Sequence, residues 1–182
     1  MENIEIKARL NDRSLTLDQA HRLADSFLGQ DHQTDTYFRT PGGRMKLRES
    51  TLSGNYLILY QRDDQEGPRP SLYETIPVDR PRAVKALLRN LLGEDIVVEK
   101  DRHIFLYGNV RIHIDDVTNL GAFLEFEAVM DDQYSDRDQE TKKVGKLMKM
   151  LHISASDLVG QSYQDLLRQR VSSEPGIKNS RD

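Results

Sequence analysis

The sequence predicts an α+β domain organised as a β-barrel with helices packed outside it. Three observations carry that expectation: about eight segments with the alternation or β-rich composition of strands, a few well-bounded helical stretches between them, and charged residues sorted onto one face of strand after strand.

The strand segments are 3–10, 34–39, 44–50, 55–62, 72–78, 96–107, 110–117 and 122–130. Gly108-Asn109 separates two of them by a dipeptide that tolerates positive φ, so 96–107 and 110–117 are expected to form a hairpin. A first helix is expected over 17–28, with Thr16 and Gln19 as a capping box and Gly29 as its stop. A second runs over 81–92, with Pro81 in its first turn, Gly93 at its exit, and Val84, Leu87, Leu88 and Leu91 as a core-facing stripe. A third spans 136–151 and a short fourth 156–169. The polar, proline-broken stretch 63–71 reads as a loop, and the mixed charges of 131–143 read as a solvated helix face. The organisation expected is one domain over 1–171, followed by a disordered tail over 172–182.

Side chains alternate across a strand, so residues of equal parity share a face. Glu5, Lys7 and Arg9 share one face of 3–10, against Ile4, Ile6, Ala8 and Leu10 on the other. Arg44, Lys46 and Arg48 oppose Met45 and Leu47; Arg111, His113 and Asp115 oppose Val110, Ile112 and Ile114. Glu125 and Glu127, with Phe123 and Val129, oppose Leu124, Phe126, Ala128 and Met130; Lys100 shares a side with Arg102, and Tyr60 with Arg62. A sheet with one wet face gives the same split on any single strand. The charges, however, are also sorted by sign. Cations dominate 44–48, 98–102 and 111, whereas carboxylates gather at Asp115, Glu125 and Glu127. A charged lumen beneath an apolar exterior accounts for that sorting. Such a lumen needs an anion and metal ions to offset its self-repulsion.

Composition removes several other classes. With 182 residues, 37% hydrophobic and 31% charged, the chain has a globular composition. It contains no cysteine, which excludes disulfides and thiolate catalysis. A net charge of −4 argues against nucleic acid as a partner, since phosphate contacts there demand a basic surplus. No stretch approaches the roughly 20 apolar residues of a membrane span, and a cytoplasmic protein without membrane association is expected.

Carboxylates at i and i+2 of one strand, such as Glu125 and Glu127, can present oxygens to one hard cation, and Mg²⁺ and Mn²⁺ accept such ligands while keeping sites for substrate phosphates. Lysines and arginines on neighbouring strands can clamp the remaining phosphate oxygens. His113 could serve as a base or phosphate donor, or as a hydrogen-bonded structural histidine; His21, His32, His103 and His152 lack ligand-like spacing. Glu74 is assigned equally to the lumen or its rim.

Asn3-Ile4-Glu5-Ile6-Lys7 resembles the ExExK motif of the CYTH superfamily, the triphosphate tunnel metalloenzymes, with Asn3 in place of the first glutamate. Lys46-Leu47-Arg48, Tyr60-Gln61-Arg62 and Val98-Glu99-Lys100-Asp101-Arg102 resemble its basic strands. Leu120-Gly121-Ala122-Phe123-Leu124-Glu125-Phe126-Glu127 resembles its closing LGxFxExE strand. The run from Glu99 through Asp132, and Ser162-Tyr163-Gln164-Asp165-Leu166-Leu167, look most like class IV (CyaB-type) adenylate cyclases. The resemblance implies an eight-stranded antiparallel closed barrel. It also implies metal ligation by Glu5, Asp115, Glu125 and Glu127, and phosphate binding by Lys7, Arg9, Lys46, Arg48, Arg62, Lys100, Arg102 and Arg111. Lys100, Arg102 and Asp115 are the residues expected nearest the chemistry.

The implied activity is Mg²⁺- or Mn²⁺-dependent phosphoryl transfer on a triphosphate. The cyclase reaction, ATP to cyclic AMP and pyrophosphate, is preferred on the resemblance. Hydrolysis of tripolyphosphate, thiamine triphosphate or a nucleotide uses the same clamp and is the alternative. Asn3 also leaves room for a triphosphate-binding module without turnover, and solvated strand faces for a β-sheet interaction protein. A homodimer stays open.

Overall fold

The structure, a computed structural model, describes residues 2–130 and 136–173. Eight strands form one closed antiparallel barrel: β1 (Glu2–Arg9), β2 (Ser26–Phe38), β3 (Arg44–Ser50), β4 (Tyr56–Arg62), β5 (Arg69–Pro77), β6 (Glu94–Tyr107), β7 (Val110–Val117) and β8 (Gly121–Val129). Their order around the barrel is β1-β5-β4-β3-β2-β6-β7-β8, and β8 closes back on β1 through pairs such as Glu5 with Glu127 and Lys7 with Glu125. Outside lie α1 (Arg13–Leu23), α2 (Pro81–Leu92), α3 (Arg137–Met150) and, after a 3₁₀ turn at Ala155–Asp157, α4 (Tyr163–Ser173). No described helix is long and apolar enough to cross a membrane.

The apolar faces point outward, as the parity of the strands predicts. Ile4, Ile6, Ala8, Ile112, Ile114, Leu124, Phe126 and Ala128 form the main core with Ala20 of α1 and Val144 and Leu147 of α3. These side chains are no more than 2% exposed, so the core lies between barrel and helices and leaves the lumen to polar groups. At about 25 cal/mol per Å² of apolar surface removed from water, this layer is the main source of stability.

The first helix and second strand depart from the sequence expectation. Helix α1 starts at Arg13, because Asp12 caps it by accepting a 2.9 Å bond from the Leu15 amide, while Thr16 donates back to the Asp12 carbonyl. Residues 26–28 are strand, because β6 offers them a pairing edge and the Phe27 ring packs at a tilt against Phe105 and against His21 of α1. Gly29, read as a helix stop, sits at φ +130° in the β-bulge where the β2 to β6 register shifts.

Other boundaries move less. Strand β5 begins at Arg69, inside the stretch 63–71 expected to be loop. Gly108 (φ +55°) makes the expected β6 to β7 hairpin, with Tyr107 opposite Val110. The stripe on α2 is only partly core: Leu88 packs on Phe38, Met45 and Leu47, whereas Leu87 and Leu91 are 57% and 70% exposed. The helix crosses the sheet at β2 and β3, which leaves its far edge and the outer face of β4 and β5 in solvent. The fourth helix starts later than expected and continues through residues 172 and 173, which were assigned to the tail; residues 174–182 and 131–135 lie outside the described residues.

Candidate active site in the barrel lumen

The inward face of the sheet encloses a cavity of about 180 Å³. It is lined by seven cations, Lys7, Lys46, Arg48, Arg62, Lys100, Arg102 and Arg111, and three carboxylates, Glu5, Glu125 and Glu127. The charges occupy β1, β3, β6, β7 and β8, with Arg62 at the last position of β4. Strands β4 and β5 contribute a different wall, with Ile58, Tyr60, Ser71, Tyr73 and Thr75. The lumen is therefore divided into a charged side and a neutral side bearing hydroxyls and aromatic rings.

Two buried aspartates behind the lining hold the cations in place. Asp35, 1% exposed, accepts bonds from Lys46 Nζ and from both Arg48 Nε and NH2, each 2.7 Å. Asp115, wholly buried, accepts from Arg102 Nε and NH2 at 2.6 Å, from Lys100 Nζ at 3.1 Å and from Tyr163 Oη at 2.9 Å. Burial pushes both carboxyls up, but the neighbouring cations hold them well below the usual carboxylate range. The bidentate geometry fixes the planes of Arg48 and Arg102, so both are aimed before any ligand arrives.

The lining carboxylates are also partnered. Glu125 meets Lys7 at 2.9 Å and bonds Arg102, and these charges outweigh burial to hold it well below its usual pKa. Glu5 accepts from Arg62 at 2.9 Å and lies 3.3 Å from Arg69, yet burial outweighs the Arg62 and Lys7 charges and raises its pKa. Among the described residues Glu127 has looser partners, Arg111 and His113 at 3.6 Å. Burial and the Arg48 charge press Lys46 down to about 7, despite Asp35. Burial and Arg102 push His113 down to about 4.

One end of the lumen is plugged. Tyr37, Val98, Val117 and Phe123 share the inward parity, and α4 packs Tyr163, Leu166 and Leu167 on them. The chain leading to α4 runs beside β1, where the Val159 amide donates to the Lys7 carbonyl at 2.9 Å. It passes so close to loop 63–68 that a Cβ on Gly160 would lie 2.9 Å from the Gln65 carbonyl carbon, which explains a glycine there. Arg44 then ties the ends together, bonding Asp64 of the loop at 2.5 Å and Asp165 of α4 at 2.9 Å.

Of the residues expected from sequence, Glu5, Lys7, Lys46, Arg48, Arg62, Lys100, Arg102, Arg111, Glu125 and Glu127 converge on this cavity. Two do not. Arg9 is exposed at the end of β1, its guanidinium 4.9 Å from the Phe123 ring, because the strand has left the lumen by that point. Asp115 lies behind the lining with its oxygens on cations and Tyr163, an arrangement suited to positioning Lys100 and Arg102. Asn3 lines the cavity, 4% exposed, with its amide oxygen unpartnered. Glu74 faces outward, opposite Leu59.

Sequence reasoning missed Arg69, which is 1% exposed beside Glu5; its flanking prolines hid a strand position in phase with Ser71 and Tyr73. It missed Asp35 and Tyr163 as well. Asp35 shares its parity with Tyr37 opposite Lys46, a signal available only once the β2 to β3 register is known.

A divalent cation would find oxygen donors on Glu125 and Glu127. Ligand atoms of these two and of His113 lie within 4.8 Å of one another, and among the described residues this is the one grouping of that kind. The surrounding lining cations supply donors for an anion of high charge density.

Comparisons with known proteins agree with this geometry. A "putative adenylate cyclase" of Methanocaldococcus jannaschii is 23% identical over 175 residues, covering 91% of this chain and 98% of that protein. The structure of the PH1012 protein of Pyrococcus horikoshii superposes with a TM-score of 0.78 at 22% identity, over 90% of this chain and 98% of that one. A "putative adenylate cyclase" of Vibrio parahaemolyticus superposes with a TM-score of 0.73 at 20% identity, over 91% and 97%. At these identities the likeness establishes the shared barrel. The sequence pattern of the CYTH domain matches residues 1–163, and the chain accordingly belongs to the CYTH domain family.

Proposed function

We propose that this chain is a metal-dependent enzyme that acts on a triphosphate in the barrel lumen, by adenylate cyclase chemistry converting ATP to cyclic AMP and pyrophosphate. The observation that carries the proposal is the convergence of seven cations and three carboxylates on one cavity, with two cations pre-aimed by Asp35 and two by Asp115. A chain of phosphates is the ligand that such a surplus of fixed donors suits.

Each group then has a role. Lys7, Lys46, Arg48, Arg62, Lys100, Arg102 and Arg111 bind phosphate oxygens, and the arginines oriented by the aspartates keep their geometry as charge moves to the leaving pyrophosphate. Glu5, Glu125 and Glu127 would hold Mg²⁺ or Mn²⁺, which when bound supplies Lewis-acid polarisation of the phosphate. The plug of Tyr163, Leu166 and Leu167 excludes water at one end. In the cyclase reaction the ribose 3′-hydroxyl gives up its proton to solvent, its oxygen bonds to the α-phosphorus, the bond from that phosphorus to the bridging oxygen breaks, and pyrophosphate leaves with that oxygen.

The neutral wall favours a substrate with an organic group over tripolyphosphate. Ile58, Tyr73 and Thr75 offer an uncharged surface for a nucleobase, which an all-phosphate ligand does not use. The names of the relatives favour the cyclase. Hydrolysis of a nucleoside or thiamine triphosphate is the second reading, because water in place of the ribose hydroxyl needs the same clamp. A single domain over 1–171 and a cytoplasmic location belong to the same proposal.

Purified protein incubated with ATP, tripolyphosphate and thiamine triphosphate in turn, with Mg²⁺ or Mn²⁺, decides among these. Cyclic AMP with equimolar pyrophosphate supports the cyclase, orthophosphate the hydrolase. No product from any of the three rules out both.

A further inference from the structure

We propose that His113 is a ligand of the lumen metal, forming with Glu125 and Glu127 a mixed nitrogen and oxygen centre that takes a first-row transition ion such as Mn²⁺ in preference to Mg²⁺. The inference rests on the reading of the lumen as a metal-dependent triphosphate site and names the metal class that site selects.

The histidine is 4% exposed and its Nδ1 has no hydrogen-bond partner. A buried polar nitrogen left unsatisfied calls for an explanation, commonly a missing ion or a functional role. Its nearest acidic neighbour, Glu127 Oε1, is 3.6 Å away, too far for a hydrogen bond but close enough for both atoms to meet one cation. Donor atoms of His113, Glu125 and Glu127 all lie within 4.8 Å of one another.

The backbone holds this arrangement. His113 is paired directly with Glu125 across β7 and β8, and its neighbours Ile112 and Ile114 are completely buried on the outer face, so the ring is committed to the lumen. The pairing of Glu125 with Lys7 and Arg102 does not exhaust it, because a carboxylate has about four lone-pair sites.

The nitrogen determines the preference. Mg²⁺ favours all-oxygen surroundings and gives up water reluctantly, whereas imidazole binds Mn²⁺ and the later divalent ions increasingly well.

The test uses the full chain and Mn²⁺ alone as probe. Electron spin-echo modulation of bound Mn²⁺ should show coupling to one imidazole nitrogen, which changes with ¹⁵N-histidine and disappears in His113→Gln. Titration should show Mn²⁺ affinity falling about tenfold or more in that variant, at least the loss caused by removing a group that merely supports a ligand. Mg²⁺ affinity should change less, because glutamine still offers an oxygen. Mn²⁺ bound without nitrogen coupling, or with coupling that survives in His113→Gln, overturns the assignment. The spectrum of the unsubstituted protein decides the matter even if the variant does not fold. Metal-independent turnover would instead contradict the proposed function, so the two failures are separable.

Discussion

Arg102 grips Asp115 with two parallel bonds of 2.6 Å, and the same carboxylate receives Lys100 and Tyr163, so one buried anion sets the position of two lumen-facing cations. Such a group would orient the site without serving as a metal ligand. Replacing Asp115 by Asn keeps the volume but strips Lys100 of its ion pair and leaves Arg102 to its pairing with Glu125, and breaking a buried pair costs about 3–5 kcal/mol. Asp115→Asn should therefore lower the melting temperature and weaken triphosphate binding, while the Mn²⁺ dissociation constant stays within about twofold. A metal affinity that collapses while stability is preserved would make Asp115 a ligand.

Glu125 and Glu127 should separate in stability but not in activity. Both substitutions to Gln remove the negative charge and one of the two carboxylate oxygens proposed for the metal, so turnover should fall sharply in each. Glu125 is held by Lys7 and Arg102, whereas the partners of Glu127 stand at 3.6 Å, so Glu125→Gln should be the less stable protein in thermal melts. Metal-dependent turnover at the unsubstituted level in either variant would remove that residue from the centre.

The depressed Lys46 would make triphosphate binding a proton-linked event. In the empty lumen burial and Arg48 lower its pKa to about 7, and a phosphate oxygen beside it would favour the charged form. Between pH 7 and the ordinary lysine range, binding should therefore take up a proton, and affinity should fall as pH rises through that window. Below it Lys46 is charged in both states and contributes no uptake. Calorimetry of tripolyphosphate binding at pH 8 in two buffers of different ionisation enthalpy measures the uptake. Lys46→Arg, permanently charged, should show less by the share Lys46 supplies; equal uptake in both proteins would discount the lysine.

The neutral wall gives a selectivity test. Tyr73→Ala should raise KM for ATP by about tenfold, since stacking a base on an aromatic ring is worth about 1–3 kcal/mol, and should leave tripolyphosphate binding nearly unchanged. Equal losses for both ligands would mean that the ring supports the fold and not the base.

Much of this arrangement is legible in the sequence because a strand's period of two leaves a direct trace. The parity of Glu5 and Lys7, of Lys46 and Arg48, and of Glu125 and Glu127 identifies the lumen face, and the alternating Ile, Leu and Phe residues identify the helix-covered exterior. Parity alone does not reveal where a strand leaves the barrel, which is why Arg9 was counted with the lumen. It also says nothing about depth, so Asp115 reads the same as Glu125 although one lies behind the wall and the other on it. Arg69 and Asp35 depend on register across separate strands, and the 26–28 segment on a pairing edge 80 residues away, both of which are tertiary information.

The most direct test of the central claim, that the cations converge on one triphosphate-shaped lumen, is the melting temperature with tripolyphosphate compared with sulfate at equal ionic strength. A ligand that binds only the folded state at a hundredfold excess over Kd adds about 2.7 kcal/mol, which for a chain of this length raises the melting temperature by roughly 5–11 °C. Tripolyphosphate should give a shift of that size, sulfate a much smaller one, and the difference should shrink in Arg48→Ala. Equal shifts from both salts, unaffected by that substitution, would show that the charges act separately through screening and would contradict the account.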